Sequence, residues 1–384
     1  MRKICIVVTA RPSYARIKSV MTAIEERSDT KLQLVVAASA LLERYGSAID
    51  YMKTDGFVPD AVVYMVLEGE NLVTTAKSTG LGIVELATVF DNLKPDVVVS
   101  IADRYETIAT AIAAAYSNIP LVHVQGGEVT GSIDEKVRHA VTKLSDLHFV
   151  ANEDAAKRVI RMGEDPDKVF TTGCPSIDLA AQVLKTSTNN FNPFELLQKG
   201  VGEPFDPTGE YLVVMQHPVT TEYKESLEQI EQTLMAISHL KIPTFWLWPN
   251  VDAGSDKISK GIRMFREKNH IPFIYFFKNM APEDFLKLLI NSKCLIGNSS
   301  AGIRECSYLG IPVVNIGKRQ KGRLRGKNVL DVNYNKREII STIEKQLQNG
   351  KYPKEEIYGD GCADQNIVEL LSTIELSIEK KINY

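Results

Sequence analysis

Three carboxylates in the first half of the chain stand where a sheet edge would present them to a ligand. Asp103 follows the apolar run 97–101, Glu128 follows Gln125-Gly126-Gly127 after the run 121–124, and Asp134 lies in Gly131-Ser132-Ile133-Asp134-Glu135-Lys136-Val137-Arg138-His139. Carboxylates gathered together raise one another's pKa, which suits general acid and base work. Ser132 and Glu135 have capping-box spacing, so a helix starts there. Asp134 and Arg138 share one face of it, beside a buried stripe of Val137, Ala140, Val141 and Leu144. Plainer readings stand beside these. Asp103 caps the next helix, Asp134 and Arg138 form a surface pair worth about 0.2–0.5 kcal/mol, and the two glycines serve a turn rather than a ligand's approach to the backbone.

Other segments carry phosphate chemistry. Arg11-Pro12-Ser13-Tyr14-Ala15-Arg16 follows the first apolar run, and two arginines at a strand-to-helix turn suit charge-assisted forks on a phosphate. The alternative is solvated cations at a helix start, the less favourable end for them. Pro218 holds His217 extended at a strand end in Gln216-His217-Pro218-Val219-Thr220-Thr221. Leu295-Ile296-Gly297-Asn298-Ser299-Ser300-Ala301-Gly302-Ile303-Arg304-Glu305 runs a buried strand through small polar residues into a helix. Free N–H groups and serine hydroxyls there make an anion site, with Glu305 in reach of a ribose diol; otherwise this is a serine-capped helix with a solvated Glu. The segments 249–254 and 317–323 follow further strands, the latter a cationic loop whose ordinary reading is a solvated charge run.

The elements that position these residues alternate. Apolar runs at 3–9, 32–37, 97–101, 121–124, 147–151 and 169–172 are separated by amphipathic stretches such as 15–26 and 107–116. The pattern restarts with strands at 211–215, 243–248, 271–276, 294–297 and 312–316. Unbroken Val/Ile runs fit parallel strands covered on both faces. The fold class is therefore α/β, with two Rossmann-like domains in tandem and a cleft between them. The expected domains are 1–175 and 176–360, with an Asn/Pro/Gly-rich excursion at 186–210 and a final helix over 364–382 in the segment 361–384. Ligands of such sheets bind beyond the carboxyl ends of strands. The acid-rich and phosphate-ready edges fall on different domains, which points to a nucleotide-linked substrate with its diphosphate toward the second.

Composition excludes several classes. A net charge of −3 removes the global basic field of a generic nucleic-acid binder. The first apolar run, 4–8, is too short for a signal-peptide core, and no stretch reaches the roughly 18 apolar residues of a membrane span. Five scattered cysteines without zinc spacing read as a reducing, cytoplasmic setting. No G-x-G-x-x-G follows the first strand, and no H-E-x-x-H, P-loop, G-x-S-x-G or EF-hand pattern occurs, so neither cofactor nor metal is expected.

Taken together, 11–16, Asp103-Arg104, Gly126-Gly127-Glu128, 133–143, Gly173-Cys174-Pro175-Ser176, 217–221, 249–254, 297–305, 317–320 and 358–361 resemble the UDP-N-acetylglucosamine 2-epimerase family, most closely its hydrolysing branch of sialic-acid-type sugar biosynthesis. The resemblance implies a GT-B-like fold whose last helix packs back on the first domain. It implies removal of the C2 proton with expulsion of UDP to a 2-acetamidoglucal, then water addition to give N-acetylmannosamine. It assigns proton transfer and its electrostatics to Asp103, Glu128, Asp134 and Arg138, with His217 at the reacting centre or diphosphate. Arg11, Arg16, Arg104, Gln125, Asn250, Ser299, Ser300, Gly302, Glu305 and Arg319 would hold UDP and sugar, and the enzyme would be a homodimer or homotetramer. Some hydrolysing relatives carry Glu where this chain has Gln125, others His. A neutral amide is no base, so Glu128 or Asp103 takes that work, or Gln125 orients the sugar. UDP-GlcNAc and a 6-deoxy-2,4-diacetamido analogue both remain as substrates. The alternatives are a non-hydrolysing epimerase giving UDP-ManNAc, a GT-B glycosyltransferase and a nucleotide-sugar binder without activity.

Overall fold

The computed structural model describes residues 1–43, 47–69, 71–101, 104–130, 133–186, 200–203, 205–206, 209–249, 254–277 and 280–383, with only the backbone of Ile133 and Thr220. Asp103, Ser132 and Asn250 lie outside the described residues. The chain divides into two compact units, one of Met1–Val129, Ile133–Leu179 and Tyr358–Tyr384, the other of Ala180–Ile357 with Thr130–Ser132.

In the first unit the strands are β1 (Arg2–Val8), β2 (Thr30–Ala37), β3 (Ala61–Val63), β4 (Val97–Ile101), β5 (Leu121–Val124), β6 (Leu147–Val150) and β7 (Val169–Thr171). They form a parallel sheet in the order β3-β2-β1-β4-β5-β6-β7. The helices are α1 (Arg11–Ala15), α2 (Lys18–Glu25), α3 (Ala48–Thr54), α4 (Leu72–Leu93), α5 (Thr107–Tyr116), α6 (Ile133–Leu144), α7 (Glu153–Arg161) and α8 (Pro175–Thr186). Ile4, Ile6 and Val8 face one apolar core, while Cys5 and Val7 face the other. Helices therefore cover both faces, as the unbroken Val/Ile runs require.

The second unit repeats the plan. Its strands are β8 (Leu212–Met215), β9 (Thr244–Leu247), β10 (Ile274–Phe277), β11 (Cys294–Gly297), β12 (Val313–Ile316) and β13 (Val329–Val332), in the parallel order β10-β9-β8-β11-β12-β13. Its helices are α9 (Ser226–Leu240), α10 (Ser255–Lys268), α11 (Pro282–Asn291), α12 (Glu305–Leu309) and α13 (Lys336–Asn349); α14 (Ala363–Thr373) then returns the chain to the first unit. Both orders are those of doubly wound sheets, which reverse between β1 and β4 and between β8 and β11.

Several expectations need correction. The helix expected over 15–26 is broken at Arg16-Ile17 into α1 and α2. The strand placed at 271–276 begins at Ile274, after the turn closed by Ile274 N–H on the Ile271 carbonyl. In the 186–210 excursion, residues 187–199 lie outside the described set, while Val201 makes an antiparallel bridge to Phe276. The units part between Leu179 and Ala180, inside α8.

The final helix stops at Thr373 rather than 382. Arg2 explains the stop: its Nη1 donates to the carbonyls of Leu371 (2.7 Å) and Ile374 (2.9 Å), a cation at a helix C-terminus. The extended tail beyond it lies along α6 and α7. Lys380 Nζ donates to the Ser145 carbonyl and pairs with Glu164, which also meets Lys143 Nζ at 2.6 Å and His148 Nε2 at 2.9 Å. No helix among the described residues is long and apolar enough to cross a membrane.

Burial pushes the Glu164 carboxyl up, but hydrogen bonds from His148, Lys143 and Lys380 reverse this and hold it at about 2. A depressed carboxyl stabilises fully above its unfolded value and loses that contribution as pH falls through the folded one. Glu164→Gln should therefore destabilise the protein by about 1–3 kcal/mol at pH 7, since it removes the charged partner of two partly exposed lysines and of buried His148. In urea titrations at stepped pH, the gap from wild type should close as pH falls from about 4.5 toward 2. A gap that stays constant to pH 2 contradicts this role.

Candidate active site

At the first unit's switch point, α1 begins directly after β1, and Arg104 follows β4. Arg104 is buried and forked onto Glu106, with Nε to Oε2 at 3.2 Å and Nη2 to Oε1 at 3.1 Å; Glu106 has no exposure. Arg11 is pushed down to about 10, first by burial, with nearby Arg104 adding repulsion and Tyr51 opposing it. Arg11 thus feels the charge of Arg104, which is itself paired with Glu106. Arg16 caps the end of α1 rather than its start, the favourable end for a cation.

Beyond β5, Gln125 adopts the left-handed region at φ +69° with its side chain buried. Its Nε2 donates to the Cys174 sulfur at 2.8 Å, and that sulfur lies 3.1 Å from Ser176 Oγ. Gln125 Oε1 is buried without a partner among the described residues. The following glycines answer to packing. A Cβ on Gly127, at φ +74°, would stand 2.3 Å from the Ala155 carbonyl oxygen, and one on Gly126 would press on His123 and Thr142.

Arg138 is fully buried. Its Nη1 donates to the Glu128 carbonyl (2.8 Å) and to Glu135 Oε2 (2.7 Å). The partner seen one turn back is Glu135, at i,i+3, which also meets His139 Nε2 at 3.0 Å. Arg138 therefore fastens the segment carrying Glu128 to α6, and Asp134 is half-buried in the first turn of that helix. Asp103, the third acid, lies outside the described residues.

In the second unit one residue organises the switch point. Asn298, buried just past β11, accepts from the His217 backbone N–H at Oδ1 (2.7 Å) and donates from Nδ2 to the His217 carbonyl (2.8 Å). Its own carbonyl receives Gln320 Nε2 at 2.8 Å and Arg319 Nη1 at 3.3 Å. Asn298 so ties together the chain ends after β8, β11 and β12. Gly297, at φ +133°, permits the approach, because a Cβ would lie 2.1 Å from the Met215 carbonyl oxygen. Gly317 leaves room for the Tyr334 ring, whose hydroxyl is pushed up to about 12 by burial and by nearby Glu222.

Four amides of the expected anion site are engaged within the segment itself. Ser299 and Ser300 open a tight turn in which the amides of Ala301, Gly302, Ile303 and Arg304 all bond back to the two serines. Gly302 is a packing residue: a Cβ would meet Val313 at 2.9 Å. What remains polar is side-chain chemistry. Glu305 opens α12, and its Oε2 is buried without a partner among the described residues. The cationic run also splits, with Lys318 exposed and paired to Glu222 at 3.6 Å, whereas Arg323 is buried and donates to Gln320 Oε1 at 3.0 Å.

Arg11 and Arg104 follow the two strands that flank the first unit's switch point, and His217 and Ser299 the two that flank the second's, where doubly wound α/β sheets bind ligands. Sequence reasoning missed the residues that hold the expected ones: Glu106, Glu135, Cys174 and Asn298. Among the described residues no three His, Cys, Asp or Glu side chains group as a metal site requires.

The profile of the family described as UDP-N-acetylglucosamine 2-epimerase matches residues 22–372. A Legionella pneumophila protein named UDP-N,N'-diacetylbacillosamine 2-epimerase (hydrolyzing) is 34% identical, over 98% of this chain and 97% of its own. A Campylobacter jejuni protein named GDP/UDP-N,N'-diacetylbacillosamine 2-epimerase (hydrolyzing) is 32% identical over 87% and 85%. The crystal structure of a Neisseria meningitidis UDP-GlcNAc 2-epimerase bound to UDP-GlcNAc shares the fold with a TM-score of 0.78 at 18% identity, covering 96% of this chain and 99% of that one. The chain belongs to the UDP-N-acetylglucosamine 2-epimerase family.

Asn298→Ala leaves the buried N–H and carbonyl of His217 without their partner, a cost of about 1–3 kcal/mol. Hydrogen exchange at the His217 amide should accelerate at least ~10-fold while amides of β8 stay protected, since the opening is local. Unchanged exchange at His217 would refute the clamp.

Proposed function

We propose that this protein is a hydrolysing 2-epimerase of a UDP-linked 2-acetamido hexose. A carboxylate of the first unit takes the C2 proton as the C1–oxygen bond breaks, and UDP leaves with the bonding pair. The resulting 2-acetamidoglucal then gains hydroxide at C1 and a proton at C2 on the opposite face, so that UDP-GlcNAc and water become UDP and N-acetylmannosamine. The observation that carries the hydrolysing outcome is the 34% identity to a hydrolysing relative along essentially the whole of both chains.

The proposed roles divide between the two units. Asp134, with Glu128 and Asp103, performs proton transfer, and Arg138 fixes the segment that bears Glu128. Gln125 is committed through its amide to Cys174 and orients the sugar rather than acting as a base. Arg11, Arg16 and Arg104 supply positive charge in the first unit. In the second, His217, Ser299, Ser300 and Arg319 receive the diphosphate, with Asn250 and Gly302 in the segments that flank it. The buried, unpartnered oxygen of Glu305 supports its assignment to the ribose hydroxyls. The proposed setting is the cytoplasm, as a homo-oligomer, with no cofactor.

A second reading of the sugar is favoured by the two hydrolysing relatives named for diacetylbacillosamine. In it the substrate is UDP-2,4-diacetamido-2,4,6-trideoxyglucose and the chemistry is unchanged. Phosphorus NMR on both UDP-sugars tests function and sugar together. Free UDP beside the manno product is expected, with the higher kcat/KM naming the sugar, whereas a product that keeps its diphosphate linkage contradicts the hydrolysing assignment.

Asp134→Asn should lower kcat at least ~100-fold with UDP affinity retained, the scale of general acid–base assistance; unchanged turnover removes it from the mechanism. Glu305→Ala should weaken UDP binding by about 10-fold in calorimetry, the loss of a hydrogen bond to a charged group. A defect confined to kcat would contradict the ribose role.

A further inference from the structure

Gln125 is held against its backbone preference. Its φ of +69° is a left-handed conformation that glycine adopts freely and residues with a side chain adopt at a cost. The backbone N–H nevertheless donates to the Phe149 carbonyl at 2.9 Å, so the strand end is fixed, and only 1% of the residue is exposed. The two ends of its side-chain amide fare differently. Nε2 meets the Cys174 sulfur at 2.8 Å, whereas Oε1 is buried without a partner among the described residues. Folded proteins pair nearly all their buried polar atoms, so an acceptor left over in this way is one that a bound molecule can complete.

The sulfur decides which end of the amide is left over. Cys174 is fully buried, and its backbone is fastened on both sides: its N–H donates to the Tyr358 carbonyl at 2.8 Å, and its carbonyl receives the Ile177 N–H at 2.8 Å. The sulfur stands 3.1 Å from the buried hydroxyl of Ser176, which has no other partner among the described residues. A hydroxyl is a strong donor and a thiol a weak one. The Ser176 hydroxyl therefore donates to the sulfur, the second lone pair of the sulfur takes the Gln125 Nε2–H, and the thiol hydrogen is the donor that goes unused at least cost. Oxygen in place of sulfur inverts this preference. A hydroxyl at position 174 would accept from Ser176 and donate to Gln125 Oε1, which turns the amide over.

We propose that Cys174 is a positioning residue: with Ser176 behind it, it holds the Gln125 amide so that Oε1 accepts the N–H of the sugar's 2-acetamido group. Both candidate sugars carry that group. The inference rests on the reading of the substrate as a UDP-linked 2-acetamido hexose, and it is independent of whether water or UDP ends the reaction.

Calorimetry with two probes tests it: UDP, and an analogue of UDP-GlcNAc in which a methylene replaces the glycosidic oxygen, so that it cannot release UDP. Cys174→Ser should weaken the analogue about 10-fold, the order of one lost hydrogen bond with a donor set against a donor, while UDP binds as it does to wild type. The same substitution should have less than about a 2-fold effect once nothing is left to turn, because the coupling runs through the amide. Gln125→Glu, whose two oxygens accept either way round, and Gln125→Leu, which has no amide, each supply that background. A Cys174→Ser protein that binds the analogue as wild type does, that loses UDP equally, or that loses the analogue equally in the Gln125 backgrounds would overturn the proposal. A product that keeps its diphosphate linkage would instead overturn the hydrolysing assignment and leave these affinities as expected.

Discussion

A parallel sheet whose strand order reverses sends the chain ends of its two central strands apart, and the backbone groups just past the last ladder bond need partners from elsewhere. Between β8 and β11 a single amide closes that gap. Asn298 presents both halves of its side chain to the backbone of His217, much as an added strand residue would, while its carbonyl collects Arg319 and Gln320. The positions of His217 and of the loop after β12 depend on it. The glycine before Asn298 is required for the same reason, since any side chain there would strike the Met215 carbonyl.

The first unit solves its switch point with charge. Arg104 is neutralised by Glu106, and Arg138 by Glu135 together with a main-chain carbonyl, so two guanidinium groups are buried without isolation. Buried pairs of this kind are strongly destabilising to break, because the remaining charge is stranded. They fix orientation more than they add stability. The same logic runs at the far end of α6, where Lys380 and Lys143 converge on Glu164 and the extended tail is drawn onto the helix that carries Asp134 at its other end.

Much of the architecture was legible in the sequence, and the misses have physical causes. The wholly buried, mainly apolar strands β4, β5 and β11 were bounded to the residue, because turn residues or helix starts end each run. The edge strands β3 and β13 were missed, since they are short and only partly buried. The last helix was drawn too long because periodicity does not register Arg2, which lies some 370 residues away in the chain and captures the terminal carbonyls. Among the polar residues, those following strands were singled out by position. Asn298 was read as part of a small polar loop, since its partner stands 81 residues earlier and nothing local marks the pairing. Free amides were expected at 299–305, and a tight turn there engages those of Ala301, Gly302, Ile303 and Arg304.

The central claim is a reaction in which the sugar's C1–oxygen bond is the one that breaks, after a proton leaves C2. Turnover in water enriched in both deuterium and oxygen-18, read by mass spectrometry, tests it most directly. The account predicts deuterium at C2 of the released sugar and UDP free of oxygen-18. Oxygen-18 in the UDP, or hydrogen retained at C2, would contradict it.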